Sequence, residues 1–497
     1  MVAAVCKIGL DILVLKGMDL TGRERDCMRI RKRNCLLLMG GALLVFFLAK
    51  IGWLFAQRPL IQTDYVAEYN DWSKPPGFKP DENAAFLYQK AFEAYVPKSD
   101  EVWAVDPFCL RPLPGSMIEW LKANTAAAEY FQTASDKPYY RPERFSEDGS
   151  MGGIRVPELP SFKQLAEVCI WKARLEAQEG RFEKALETLL RCWRAGNHLC
   201  SPQLFVADQF LGLRLRQMAA ENLFLLLRQY SVSSSILRLW QESLEKLAAE
   251  DMHRPSFKTE KFFAEDMLQR TFLDNGRGTG RWAWRSGYPR ALLASDLSAF
   301  HIYFESLKER TYFCLFGPTR NEIARQIDDL INLSDHLLQK TPWQIHQDVP
   351  SVFERFDEVE RSHIFFIVSQ IHLNPEAMIH TYHKTAAQMN ALIAVLAVLR
   401  YKNDTGVYPK TLDKLTAEGY LRSVPMDPYS GSPMIYKVLE DGFTLYSIGE
   451  DFEDNGGTFN KETPKRDISL HIHFPDIVYW PIAVIAAAEK VPMMGQL

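Results

Sequence analysis

The residues best suited to bind an ion lie in an acidic turn near the C-terminus. Asp451, Glu453, Asn455 and Gly456 stand at positions 1, 3, 5 and 6 of a twelve-residue calcium-loop spacing, and Glu462 stands at position 12. Carboxylate and amide oxygens are the hard ligands that Ca²⁺ prefers. The departures from the usual pattern are the glutamate at position 3, Thr458 at position 8 and the strand, not a helix, predicted before the loop. The residues predict a structural calcium site, with a solvated acidic turn as the alternative.

Histidine pairs are the other residues whose spacing permits chemistry. His380 and His383 are three positions apart on a predicted helix, and His471 and His473 share one face of a predicted strand. Either pair could hold a metal if a carboxylate joined it. No H-E-x-x-H, G-x-S-x-G or C-x-x-C motif is present in the sequence. We therefore predict packing or surface histidines and no catalytic residues; a hydrolase whose site is assembled within the helical region is the alternative.

Composition limits the class of protein. Of the 497 residues, 47% are hydrophobic and 24% are charged, which is typical of globular domains with a substantial core. The 58 lysines and arginines nearly balance 62 aspartates and glutamates. A basic surplus, which nucleic-acid-binding surfaces require, is therefore missing, and no nucleic-acid partner is expected.

A long apolar segment lies near the N-terminus. The run CLLLMGGALLVFFLA at 35–49 continues past Lys50 to residue 56. A helix over 35–56 would be about 33 Å long, enough to cross a bilayer. The sequence predicts a single-pass signal anchor here, with a cleaved signal peptide as the alternative. Met28 begins the basic stretch MRIRKRN before this run, which favours a translation start at that residue.

Basic residues concentrate on one side of the apolar segment. They are Arg23, Arg25, Arg29, Arg31, Lys32 and Arg33. By the positive-inside rule, residues 1–34 are expected in the cytoplasm and the bulk of the chain outside it. The expected location is the bacterial inner membrane, with the bulk exported to the periplasm and the membrane contacted through one helix.

Residues 57–375 indicate an exported α-helical domain. Within 161–199, LAEVCIWKARLEAQEGRFEKALETLLRCWRAGNHL places Gly180 between two amphipathic helices. Ala173, Phe182 and Ala185 fall where a tetratricopeptide hairpin carries small, aromatic and small residues. Since no second copy follows at the required period, we predict one such hairpin and no repeat array.

The character of the chain changes at residue 376. An all-apolar helical stretch, ALIAVLAVL, is followed by LRYKNDTGVYPKTLDKL, VPMDPYSGSPMIYKV, GFTLYSIGEDFEDNGG and DIVYW. In this order the segments resemble the globular domain of G-type pseudopilins of type II secretion. The resemblance implies a small α+β domain over 376–480 with a short antiparallel sheet. It also implies calcium bound by the Ser447 carbonyl, Asp451 and Asp476.

The whole chain resembles large exported bacterial proteins of uncharacterised function that carry this tail. The stretch RIRKRNCLLL lacks the glycine and glutamate of a pseudopilin processing site, so assembly into a pilus shaft is not implied. The expected fold is mainly α, with an α+β domain at 376–480 and a tail at 481–497. The expected function is that of a non-enzymatic, membrane-anchored envelope protein with an interaction or scaffold role. This role is linked to type II secretion-like systems, and protein partners are expected without being identified by the sequence.

Overall fold

A computed structural model describes residues 37–50, 52–53, 56–105, 112–250, 253–283, 314–348, 375–440, 442–457 and 476–481. Within these residues the chain is mainly α-helical with a small antiparallel sheet, which confirms the predicted fold class. The chain forms two compact units. One comprises Met1–Leu60, Arg270–Gly287 and His301–Arg320, and the other comprises Ile61–Gln269, Tyr288–Phe300 and Asn321–Leu497.

The described residues of the apolar segment near the N-terminus, 37–50, 52–53 and 56, are helical. Among the described residues, no helix combines the length and the apolar character needed to cross a membrane. The transmembrane helix predicted over 35–56 is therefore wrong. So are the signal anchor, the membrane attachment and the inner-membrane and periplasmic localisation inferred from it. Residues 1–34, predicted to be cytoplasmic, lie outside the described residues.

The first unit also contains a short hairpin. Phe272 pairs with Trp282 in an antiparallel bridge, and their rings meet edge to face at 5.7 Å. A Cβ at Gly280 would lie 1.7 Å from the Leu273 carbonyl oxygen, so only glycine fits at this close approach. Trp282 is buried, and its side chain therefore belongs to the packing of this unit.

The second unit begins with short helices. They are α1 (Tyr65–Trp72), α2 (Ala85–Glu93), α3 (Asp100–Trp103), α4 (Gly115–Ala123) and α5 (Thr125–Ser135). Asn124 separates the last two of them. Its side chain accepts a hydrogen bond from Val96 N at 2.9 Å and donates one to Val96 O at 3.0 Å. Because these bonds satisfy the backbone of a neighbouring turn, the amide ties α4 and α5 to the end of α2.

The predicted helical hairpin is confirmed. It consists of α6 (Glu158–Gln178) and α7 (Phe182–Leu199). Gly180 adopts a φ of 77°, a left-handed conformation that glycine tolerates best, and so ends α6. Ala173 and Ala185 are both fully buried, as expected of small residues where two helices pack closely. Three further helices follow: α8 (Val206–Gln229), α9 (Ser234–Glu250) and α10 (Glu260–Thr271).

The C-terminal part carries the longest of the described helices and the described sheet. The elements are α11 (Arg320–Leu337), α12 (Pro342–Asp348), α13 (Pro375–Thr405), α14 (Leu412–Ala417), β1 (Ile435–Leu439), β2 (Gly442–Ser447) and β3 (Ile477–Trp480). The strands lie in the order β1-β2-β3 and all pairs are antiparallel. Helix α13 packs against α8 and α9 and also against β2 and β3. The sheet and the helical hairpins therefore share one hydrophobic core.

Buried charged groups tie loops to the start of α8. Arg144 donates two hydrogen bonds to the carboxylate of Asp208, at 2.9 and 3.0 Å, and pairs with Glu158. Glu260 accepts a hydrogen bond from Val206 N at 3.1 Å. Burial raises the pKa of Glu260 from its usual 4.5 to about 7; the hydrogen bond from Val206 N opposes this rise only in part, and the negative charge of nearby Asp208 adds to it.

The raised pKa of Glu260 predicts a pH-dependent stability. The folded state holds the Glu260 proton more tightly than the unfolded chain does, so stability is highest below pH 4.5 and falls as the pH rises to 7. We expect Glu260→Gln to reduce this loss by roughly 3 kcal/mol. Urea unfolding at pH 5 and pH 8 measures this difference in the free energy of unfolding for both proteins. Part of the slope remains, because burial also raises the pKa values of Asp208 and Glu176.

The matched control for this prediction is Glu242→Gln. Glu242 lies on the exposed face of α9, in a loose pair with Arg238 at 3.8 Å. This variant should keep the pH slope of the wild-type protein. Equal slopes in Glu260→Gln and Glu242→Gln would show that Glu260 does not titrate in this range.

Candidate calcium-binding loop

The acidic loop begins where a buried carboxylate holds the end of β2. Asp427, which is 1% exposed, accepts hydrogen bonds from Ser447 Oγ at 2.7 Å and from Ile448 N at 3.1 Å. It also accepts from Tyr429 N at 3.0 Å, which closes the turn before β1. One side chain thereby joins the two turns of this region, and the acidic loop leaves β2 from a fixed point.

Within the loop, predicted ligands from distant parts of the sequence come together. Asp451 accepts a hydrogen bond from Asn455 Nδ2 at 2.7 Å and one from Glu453 N at 3.1 Å. Asp476 accepts hydrogen bonds from Asn455 N at 3.2 Å and from Gly457 N at 2.6 Å. The carboxylates of Asp451 and Asp476 therefore both reach Asn455, one through its side chain and the other through its backbone.

The remaining predicted ligands have fewer contacts with the group formed by Asp451, Asn455 and Asp476. Ser447 pairs with Ile477 across the sheet, which places its backbone one residue from Asp476. Glu453 is exposed, and its carbonyl oxygen accepts from Asn455 Nδ2 at 3.2 Å. Glu462 lies outside the described residues. In the part of the chain that the structure describes, no three His, Cys, Asp or Glu side chains form a metal-binding group.

The electrostatics of the loop favour a cation. Burial raises the pKa of Asp476, and the negative charges of Asp454 and Asp451 act in the same direction, although backbone N–H groups of Gly457 and Asn455 oppose it. The pKa of Asp454 is lowered by a hydrogen bond from Gly456 N and by one from the Tyr446 hydroxyl. A divalent cation beside Asp451 and Asp476 would offset their mutual repulsion, and hard oxygen ligands suit calcium.

Among the described residues, the predicted pair His380 and His383 is not part of any group of three potential metal ligands. His380 stacks on Tyr429 with 5.8 Å between ring centroids, and its Nδ1 lies 3.8 Å from a Glu450 oxygen. His383 contacts Tyr382 edge to face, and burial lowers its pKa to about 4. Both rings are therefore placed for packing. His471 and His473 lie outside the described residues.

Sequence reasoning missed the contact between α12 and the acidic loop. Phe452 has a φ of 59°, an uncommon value for a bulky residue, and its ring stacks on His346 with centroids 4.0 Å apart. Trp343 N donates to Pro428 O at 3.0 Å. A Cβ at Gly431 would lie 2.4 Å from the Trp343 ring, so glycine makes room for it. These partners are far apart in the chain, and no local pattern marks them.

The chain was compared with protein-family models, with curated proteins and with solved structures, and none of these comparisons returns a match.

Asp427 should dominate the stability of this region. Asp427→Ala would leave the Ser447 hydroxyl and two backbone N–H groups buried without their acceptor, which costs roughly 2–4 kcal/mol in the free energy of unfolding. Urea unfolding measures the loss, with the exposed Asp413→Ala on α14 as the matched control. A difference between the two variants below about 0.5 kcal/mol would contradict the anchoring role.

Proposed function

We propose that the protein is a non-enzymatic interaction protein, in which a pseudopilin-like α+β region binds calcium and recognises protein partners of a type II secretion-like system. The observation that carries the proposal is the meeting of Asp451 and Asp476 at Asn455. Two carboxylates with hard oxygens, drawn from opposite ends of a long connection, are suited to a structural calcium ion. The ion would fasten β3 to the loop after β2.

The buried acids of the helical region support a structural rather than a catalytic role. Asp208 is paired with Arg144, and Glu260 accepts from the first backbone N–H of α8. Each of these carboxylates is fully or almost fully buried. A general acid or base has to reach a substrate proton within hydrogen-bonding distance, and groups closed off in this way are better suited to holding loops together.

An open strand edge supports protein recognition. In the described sheet β1 is an outer strand, and its end carries the exposed side chains Val438 and Leu439. An edge strand offers unpaired N–H and C=O groups to an extended partner segment, and exposed apolar side chains add specificity. We propose that partners of the α+β region pair with this edge.

Calcium dependence tests the ion-binding part. The wild-type protein should melt at a higher temperature in calcium than in EGTA, with a gain of about 2.7 kcal/mol when calcium is at 100 times its dissociation constant. Asp451→Asn should remove most of this gain, whereas Asp413→Asn should keep it. The gain should shrink as the pH falls through the raised pKa of Asp476, because a protonated carboxyl no longer binds the ion. Identical melting in calcium and EGTA would refute the site.

Crosslinking and mass spectrometry of the tagged full chain in its native cells test the partner. We expect secretion-system subunits crosslinked near β1, and their loss in Leu439→Lys, which places a charge at the strand edge. Leu239→Lys, an exposed leucine on α9, is the matched control and should retain them. Recovery of the same proteins from both variants would show that β1 is not the recognition edge.

A further inference from the structure

An arginine is buried where α7 and α8 cross. Arg216 lies on α8 and is 0% exposed. The two helices approach closely at Gly196 and Gly212, since a Cβ on either glycine would lie 2.6 Å from the carbonyl oxygen of the other. A Cβ on Gly196 would also lie 2.9 Å from Arg216 Cγ. The two glycines therefore allow the helices to approach closely, and Gly196 leaves room for the stem of Arg216.

Among the described residues, the guanidinium group of Arg216 has no carboxylate partner. In the described part of the chain, none of its three nitrogens, Nε, Nη1 and Nη2, has a hydrogen-bond partner. Arg144 shows the usual solution, because its buried guanidinium pairs with the carboxylates of Asp208 and Glu158. A guanidinium stays charged in proteins, and a buried charge without a partner strongly disfavours folding.

We propose that Arg216 is the centre of a binding site for a small oxyanion at the crossing of α7 and α8. A guanidinium presents its N–H donors in a planar fork that matches phosphate or carboxylate oxygens in a bidentate manner. Because Arg216 is completely buried, α7 and α8 have to part when the anion enters, so exchange is slow and the bound anion stabilises the folded chain. This site is independent of the calcium loop and of the proposed function.

Substitution of Arg216 by methionine should raise the melting temperature of the anion-free protein and lower that of the anion-bound protein. Replacing an unpaired buried charge with an apolar side chain of similar length stabilises a fold, whereas removing one partner of a buried ion pair destabilises it. In phosphate buffer we expect Arg216→Met to melt several degrees below the wild-type protein. Arg214→Met, two positions away on the exposed face of the same helix, should melt within a degree or two of the wild type.

Phosphate dependence completes the test on the full chain. At constant ionic strength, exchanging a bulky organic anion for inorganic phosphate should raise the melting temperature of the wild type and of Arg214→Met, but not that of Arg216→Met. Where Arg216→Met does not fold, native mass spectrometry of the wild type decides: a phosphate retained by the folded chain and lost on acid unfolding supports the site. An equally stable Arg216→Met, an unchanged phosphate response, or a folded wild type without bound phosphate would overturn the proposal.

Discussion

Helix α13 carries an unbroken apolar stretch at 391–398, in which every residue is at most 9% exposed. A helix that is apolar on all sides has to be covered on all sides, because an exposed face would forfeit the free energy of apolar burial. Helices α8 and α9 cover one side, while β2 and β3 cover another. The position of the sheet on the helical hairpins therefore follows from the burial of this one helix. The acidic loop follows β2, a strand with side chains in the main hydrophobic core.

Buried charges then fix the loops around that core. Arg144 and Asp208 hold the loop before α6 against the start of α8, and Asp427 holds both ends of the segment that carries β1 and β2. Such groups add little net stability where they are fully paired, but each strongly destabilises the fold when it is buried without its partner. This asymmetry makes the loop geometry specific, since any other arrangement of the same loops would leave a buried charge without its partners. Arg216 stands out against these pairs because the same rule applies to it and the described chain does not satisfy it.

Local patterns predicted the parts of the fold that depend on local forces. The hairpin around Gly180 and the all-round burial of 391–398 follow from residue periodicity and from one glycine with positive φ. The clustering of Asp451 with Asn455 follows from their spacing. The membrane helix was predicted from a window of apolar residues, and among the described residues no helix is long and apolar enough to cross a membrane. Contacts between distant segments, such as Trp343 with the turn at Pro428 or Arg216 at the glycine crossing, leave no signature in one sequence.

The arrangement of the acidic loop explains why an ion would matter there. Asp476 immediately precedes β3, a strand of only four residues. The Asp476 carboxylate accepts hydrogen bonds from the backbone N–H groups of Asn455 and Gly457. Holding Gly457 and Asp476 together closes the connection between them, and closing a connection of this length opposes folding by about 2–3 kcal/mol. The few backbone hydrogen bonds that so short a strand forms with β2 offset little of this free-energy cost. Because charge repulsion with Asp451 and Asp454 disfavours the ionised Asp476, a cation that removes the repulsion strengthens the hydrogen bonds by which the residue before β3 holds the acidic loop.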